Sequence, residues 1–450
     1  MKKTPFRCSA FYIILISFLA TATYGQSPQT LVKEVQQLLV DHYIFLDKAE
    51  AMNKQLDEAL AQGKFDGIER EEDLAAALTR TLQEVTNDKH LVVYPPRQVR
   101  VEENPEAAFM QSLSRYRNPM IKSVQLLDDN VGYFDMRFFG GGESSLKKID
   151  QVMQQLESAD ALIVDMRYNG GGSISTVQYM NSYFFEGDQL LNSIYSRVNH
   201  QLNINNHTRE IRSREVYGVK RPDIPVFILI SSRTFSGAED FSYTMQSFQR
   251  ATVIGEASRG GAHPVDFFSL SHNFRIKIPF ARSIHPITKS NWEGTGVIPN
   301  VKVMAKEAFE TALPLAQAAA KEHKMSFIQP ILDLLNQWET KPQDIKLLLK
   351  QLQAGVAGGK LIESDINRMG YAYLRANKTK TASAILGANT LIFPNSPNAF
   401  DSYAEALALD GQSDKALGSY KKAVSLAAAQ EHYNLASYKQ NLQAFQENHK

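Results

Sequence analysis

The spacing of apolar positions changes along the chain, and each change predicts a different kind of element. Between about residues 28 and 86 the spacing is helical. Leu31, Val35, Leu38, Leu39 and Tyr43 share one face, Leu56 and Leu60 a second, and Leu74, Leu78 and Leu82 a third. Such stripes predict a bundle of three amphipathic helices. It ends at Thr86-Asn87-Asp88-Lys89-His90 and a short alternating run halted by Pro95-Pro96. Residues 97–125 are polar and irregular and read as a linker. From Val131 onward short apolar runs alternate with helical faces. The expected strands are 133–139, 161–166, 226–230, 252–255 and 274–280, with helices at 146–156, from the glycines at 170–172 to about 185, and from about Ser236. Residues 190–208 read as a hairpin or loop excursion, and 296–299 close the core near Val303. This β/α alternation predicts a layered domain with a largely parallel sheet.

Strands cease after about Glu307. A helical stretch runs to Gln353, and Ala354-Gly355-Val356-Ala357-Gly358-Gly359 breaks it. A weak repeat follows: Met369-Gly370-Tyr371-Ala372-Tyr373-Leu374 aligns with Tyr403-Ala404-Glu405-Ala406-Leu407-Ala408, and Ala382 with Ala416. An offset of 34 residues with small residues at the helix crossings resembles tetratricopeptide helix pairs. The predicted organisation is a leader at 1–25, an N-terminal helical cap at 26–96, the linker at 97–125 and an α/β core at 126–305. A helical connector at 306–360 and helical repeats at 361–450 complete it. Two repeat units cannot form a long groove, but they could position a substrate or a protein partner. Removal of residues after about 355 is therefore expected to spare turnover of small substrates.

Composition narrows the function. The net charge of +1 argues against a nucleic-acid binder, and no run beyond the leader is long and apolar enough to span a membrane. Lys2, Lys3 and Arg7 precede a short apolar stretch at 11–19, and cleavage is expected after Ala22 or Gly25. An exported protein, periplasmic or extracellular in a bacterium, is the expectation. The one cysteine, Cys8, lies before that stretch, so thiol nucleophiles, disulfides and thiolate metal sites are excluded from the mature chain.

Two stretches carry candidate chemistry. In 225–250 an apolar strand passes through Ser231-Ser232-Arg233-Thr234 into a helix, which places Ser236 at the helix N-terminus. Unpaired N–H groups and the helix dipole favour developing negative charge there. Ser236-Gly237-Ala238-Glu239 also fits a capping box, in which the serine would only cap. In 165–173 the run Gly170-Gly171-Gly172 separates a strand from a helix. It lacks the lysine ending of a phosphate loop and the G-x-G-x-x-G of a dinucleotide fold, which leaves an oxyanion hole.

Residues 165–173, Thr234–Glu239 and Gly294-Thr295-Gly296-Val297-Ile298-Pro299-Asn300 together resemble the tail-specific (carboxy-terminal processing) serine proteases. That family includes the tricorn protease core and the interphotoreceptor retinoid-binding protein modules. The likeness covers about 30–305 and implies a crotonase/Clp-protease-like fold. It implies Ser236 as nucleophile, with an oxyanion hole from the Gly237 amide and one from Gly170 or Gly171. The PDZ-bearing branch uses a lysine base, but the matching position here is Gly261, and 97–125 is too short for a PDZ domain. The other branch implies His90 as base and Glu293 as the carboxylate that orients it.

His263 and His285 are the rival bases. Asp88 reads as an exposed turn residue, and Asp165 and Arg167 as residues that order the glycine loop. Clustered histidine and carboxylate ligands are not evident, so neither metal nor organic cofactor is expected. The implied activity is that of a serine endopeptidase acting on peptide or protein substrates. The alternatives are an inactive module that binds a hydrophobic ligand, and a helical-repeat scaffold with a vestigial core.

Overall fold

The computed structural model describes residues 28–97, 105–112, 120–199, 204–341 and 344–448. The expected leader at 1–25 lies outside them. The chain divides into two compact units. In chain order it begins with α1 (Pro28–His42), α2 (Leu46–Ala61), α3 (Glu71–Thr86), β1 (Val92–Tyr94) and α4 (Pro105–Ser112). Then come β2 (Ile121–Leu127), β3 (Val131–Met136), α5 (Glu143–Gln155), β4 (Ala161–Asp165) and α6 (Ile174–Ser182). Next are β5 (Leu190–Asn199), β6 (Ile204–Arg212), β7 (Val226–Ile230), α7 (Gly237–Ser247) and β8 (Ala251–Gly255). Four strands, β9 (Val265–Ser269), β10 (Arg275–Pro279), β11 (Ala281–Ile284) and β12 (Val301–Lys302), precede α8 (Ala308–Trp338). The chain ends in α9 (Ile345–Ala357), α10 (Glu363–Arg375), α11 (Thr379–Ile392), α12 (Pro397–Leu409), α13 (Ser413–Ala429) and α14 (Leu435–Asn448).

The first unit comprises residues up to 86, 91–99 and 266–278. Leu31, Val35 and Leu39 of α1, Leu56 of α2, and Leu74, Leu78 and Leu82 of α3 are buried as the stripes predict, whereas Leu38 and Leu60 are only half-buried. A small antiparallel sheet, β1-β10-β9, belongs to this unit as well. The alternating 274–280 run therefore does not join the main sheet as expected. It pairs with β1, the run halted by Pro95-Pro96.

The second unit is built on a sheet of order β12-β8-β7-β4-β3-β2 among the described residues. Its pairings are parallel from β12 to β3, and β2 is antiparallel at the edge. Both β4 and β7 are buried throughout, which explains the continuous apolar runs 161–164 and 226–230. Alternate residues serve two layers. Leu162, Val164, Ile228 and Ile230 meet α5, α6 and α7 through Ile149, Val177, Met180, Phe241 and Met245. Ala161, Ile163, Phe227 and Leu229 meet α8, whose Ala308, Ala312, Ala316 and Ala320 form a small-residue stripe. This mixed α/β core, with helices before it and an all-helical region after it, is the expected fold class. Within the expected linker at 97–125 lie α4 and the first residues of the edge strand β2. In the C-terminal region α10 and α12 begin 34 residues apart, and Ala382, Ala404 and Ala416 are fully buried.

Candidate active site

Adjacent parallel strands β4 and β7 end side by side, so the loops after them meet at the carboxyl edge of the sheet, where open α/β sheets bind ligands. Side chains brace these loops from below. Arg167 pairs with Asp165 at 2.6 Å and donates to the Ala305 carbonyl at 2.8 Å. Thr234 Oγ1 donates to the Met166 carbonyl at 2.8 Å, and the Ser231 hydroxyl donates to the carbonyl of Arg167. Phe235 N–H donates to the Asn169 carbonyl at 3.0 Å. The two loops thus act as one support through Ser231, Thr234 and Phe235, while Asp165 and Arg167 pair with each other and reach Ala305.

Ser236 sits at the N-terminus of α7 with φ 56° and ψ −120°, a backbone conformation that costs a non-glycine residue free energy. Gly171 lies against it. A Cβ at Gly171 (φ 96°) would fall 2.7 Å from Ser236 Cβ and from the Gly237 nitrogen. Gly171 N–H donates to Asn169 Oδ1 at 2.8 Å, a bond that shapes the glycine turn.

His90 is buried, and its ring lies against Phe235 with centroids 4.4 Å apart. Behind it the structure departs from expectation. Asp88 is not exposed: it is 2% accessible, with Oδ2 2.7 Å from Nδ1 of His263 and Oδ1 accepting the His90 N–H at 3.0 Å. Burial pushes the Asp88 carboxyl up, but the bond and charge of His263, with the His90 amide, outweigh it and hold the group below its ordinary value. Glu293 Oε2 accepts the Ala262 N–H at 2.6 Å and stands 3.5 Å from His263 Nδ1. Glu293 thus contacts His263, a relationship that the expected pairing of Glu293 with His90 did not include. Burial raises the Glu293 carboxyl above its ordinary value against the charge of His263, and the charges of Asp88 and Glu239 add to the rise.

His285, the other rival base, is fully buried against Tyr243 and Phe248, and burial pushes it down to about 4. Its neighbours are those of a core residue. The absence of clustered ligands does not hold either, because donor atoms of Asp88, His263 and Glu293 lie within 4.8 Å of one another. Their 2.7 and 3.5 Å separations are those of a hydrogen-bonded ionic group. Sequence reasoning placed Asp88 in an exposed turn and His263 among the rival bases, without their pairing. The Asp88-Lys89-His90 spacing was the one available signal.

Comparison with known proteins identifies the family. The sequence model for peptidase family S41 matches residues 130–303, and that for the N-terminal domain of peptidase S41 in eukaryotic IRBP matches 21–131. A carboxyl-terminal-processing protease of Synechocystis sp. is 29% identical over 164 residues, 35% of this chain and 35% of that protein. A probable CtpA-like serine protease of Staphylococcus haemolyticus is 21% identical over 188 residues, 42% of this chain and 36% of that one. The chain therefore spans about a third of the length of these curated relatives. The crystal structure of a putative peptidase from Parabacteroides merdae is similar with TM-score 0.48 and 19% identity, over 64% of this chain and 96% of that one. Together the two sequence models match residues 21–303, and the chain belongs to peptidase family S41.

Proposed function

We propose that this chain is an exported serine endopeptidase in which Ser236 attacks a peptide carbonyl. The observation that carries the reading is Ser236 itself, held at positive φ on a helix N-terminus with Gly171 pressed against it. A residue that only caps a helix needs no such conformation, and strain of this kind concentrates at functional positions. Serine is a weak nucleophile at neutral pH and needs an adjacent base. His90, against the neighbouring Phe235, is that base and later protonates the leaving amine.

The oxyanion is held by the Gly237 amide with one from Gly170 or Gly171. Since Gly171 N–H is donated to Asn169 in this state, use of that amide requires Asn169 to yield it. Asp88 fixes the backbone of His90, while Glu293 acts through His263 and Ala262. Export rests on the basic and then apolar first residues. The tetratricopeptide assignment of the C-terminal helices, and a partner or substrate-positioning role for them, rest on the 34-residue offset and remain part of this proposal.

Fluorophosphonate labelling of purified protein, beside Ser236→Ala, His90→Ala and His263→Ala, tests the assignment. Labelling should disappear with Ser236→Ala and with His90→Ala. Survival in His90→Ala with loss in His263→Ala would move the base to His263. No labelling of folded wild-type protein would instead favour the inactive binding module.

A further inference from the structure

We infer that Glu239, besides capping α7, is a positioning residue that locks the Ser236 backbone to the loop beneath the His90 ring. The inference rests on the proposed nucleophile and base. Glu239 is fully buried, and its carboxylate accepts four hydrogen bonds. Oε2 takes the N–H of Ser236 at 2.7 Å and of Gly261 at 2.9 Å. Oε1 takes the N–H of Gly260 at 2.6 Å and the hydroxyl of Ser258 at 2.5 Å. A capping box accounts for the first of these bonds alone. The other three come from a loop about twenty residues away in sequence.

That loop is where position matters. A Cβ at Gly261 would lie 2.6 Å from His90 Cε1 and would collide with the Phe235 ring, so Gly261 is the surface on which both rings rest. Ser258 Oγ also accepts the Val297 N–H at 2.6 Å, and Trp292 Nε1 donates to the Gly261 carbonyl at 2.8 Å. One carboxylate therefore ties together the helix that carries Ser236, the loop under His90 and the 292–297 turn that carries Glu293. Among the described residues no cation pairs with Glu239; donors alone compensate it. Burial raises its carboxyl above the ordinary value even against those four donors. Keeping a buried carboxylate this way is costly for a simple helix cap.

The four donors also dictate the test. In Glu239→Gln the amide NH2 must replace one acceptor oxygen, so at least one backbone N–H of the loop or of Ser236 faces another donor. The experiment measures fluorophosphonate acylation rate, thermal midpoint and amide hydrogen exchange in the full chain for wild type, Glu239→Gln and Ser258→Ala. Expected for Glu239→Gln are a ~10²-fold slower acylation, from misplacement alone, and faster exchange at Gly260 and Gly261 in protein that is still folded. Ser258→Ala, which removes one donor and the link to Val297, should show a smaller loss of the same kind. Wild-type acylation by folded Glu239→Gln, or a loss no larger than its unfolded fraction, would overturn the inference. If wild type is not acylated at all, the Ser236 reading fails. The clamp is then judged by exchange, and unchanged protection at Gly260 and Gly261 in Glu239→Gln would overturn it.

Discussion

Nδ1 of His263 stands 2.7 Å from Oδ2 of Asp88, and both side chains are almost wholly buried. Removing one member of a buried ionic pair leaves the other uncompensated, which costs more than the pair contributes. His263→Ala should therefore lower stability by about 3 kcal/mol, because it strands Asp88 and Glu293 side by side. The double variant Asp88→Asn/His263→Gln should recover a large part of that loss. Denaturant unfolding of both variants measures the coupling, and strictly additive losses would remove the pair from the account. The pH dependence has a definite sign. A carboxyl held below its ordinary value gives stability that is complete above about pH 4 and lost on acidification, so the wild-type advantage over Asp88→Asn should shrink as pH falls.

Gly171 and Gly172 are neighbours in sequence but predict different failures. A Cβ at Gly171 meets Ser236 and the Gly237 amide, whereas a Cβ at Gly172 (φ 137°) strikes the Phe139 carbonyl. Gly171→Ala should lower acylation of Ser236 by ~10²-fold or more, by pushing the Ser236 side chain and the Gly237 amide out of position. Gly172→Ala should act first on stability, with a cost of about 1–3 kcal/mol. Acylation rates and thermal midpoints of the two variants, read together, separate these effects.

The parts that could be read from the sequence are those whose signal is local. β4 and β7 are unbroken apolar runs because helices cover both faces of the sheet, and the glycine turn and Ser236 follow them directly. Asp88 was misjudged because a polar residue in a turn after a helix is normally solvated. Its burial depends on His263, 175 positions away, and no periodicity reports that pairing. β2 was hidden for another reason: as an edge strand it carries Lys122, Ser123 and Gln125 and lacks the pattern of a core strand. Glu239 was legible as a cap but not as a clamp, since three of its four donors come from a distant loop.

Glu293 predicts opposite changes in activity and stability. Its carboxyl is raised by burial, so its ionised form weakens the fold as pH rises, and stability attributable to the neutral form is present only in acid. Glu293→Gln should thus gain thermal midpoint relative to wild type between pH 5 and pH 8. Its acylation rate should fall ~10²-fold, short of the ~10⁴-fold expected of a carboxylate bonded directly to the base. Thermal scans at the two pH values, with labelling at pH 8, check both halves.

The C-terminal helices can be removed only at a boundary that respects the packing. The first half of α8 lies on the sheet through its alanine stripe. Its second half, with Ile331, Leu335 and Trp338, packs with Leu348 and Leu352 of α9 and with Ile366 and Ile385 of α10 and α11. A chain ended at 355, where turnover of small substrates was expected to survive, loses Ile366 and Ile385 and exposes that cluster. It should aggregate or melt early. A chain ended after Lys324 keeps the alanine stripe and the 3.2 Å pair between His323 and Asp160. It should remain folded and acylate at the wild-type rate. Light scattering and labelling of the two truncations decide the matter, and loss of acylation in a folded chain ended at 324 would show that the helices contribute to the site itself.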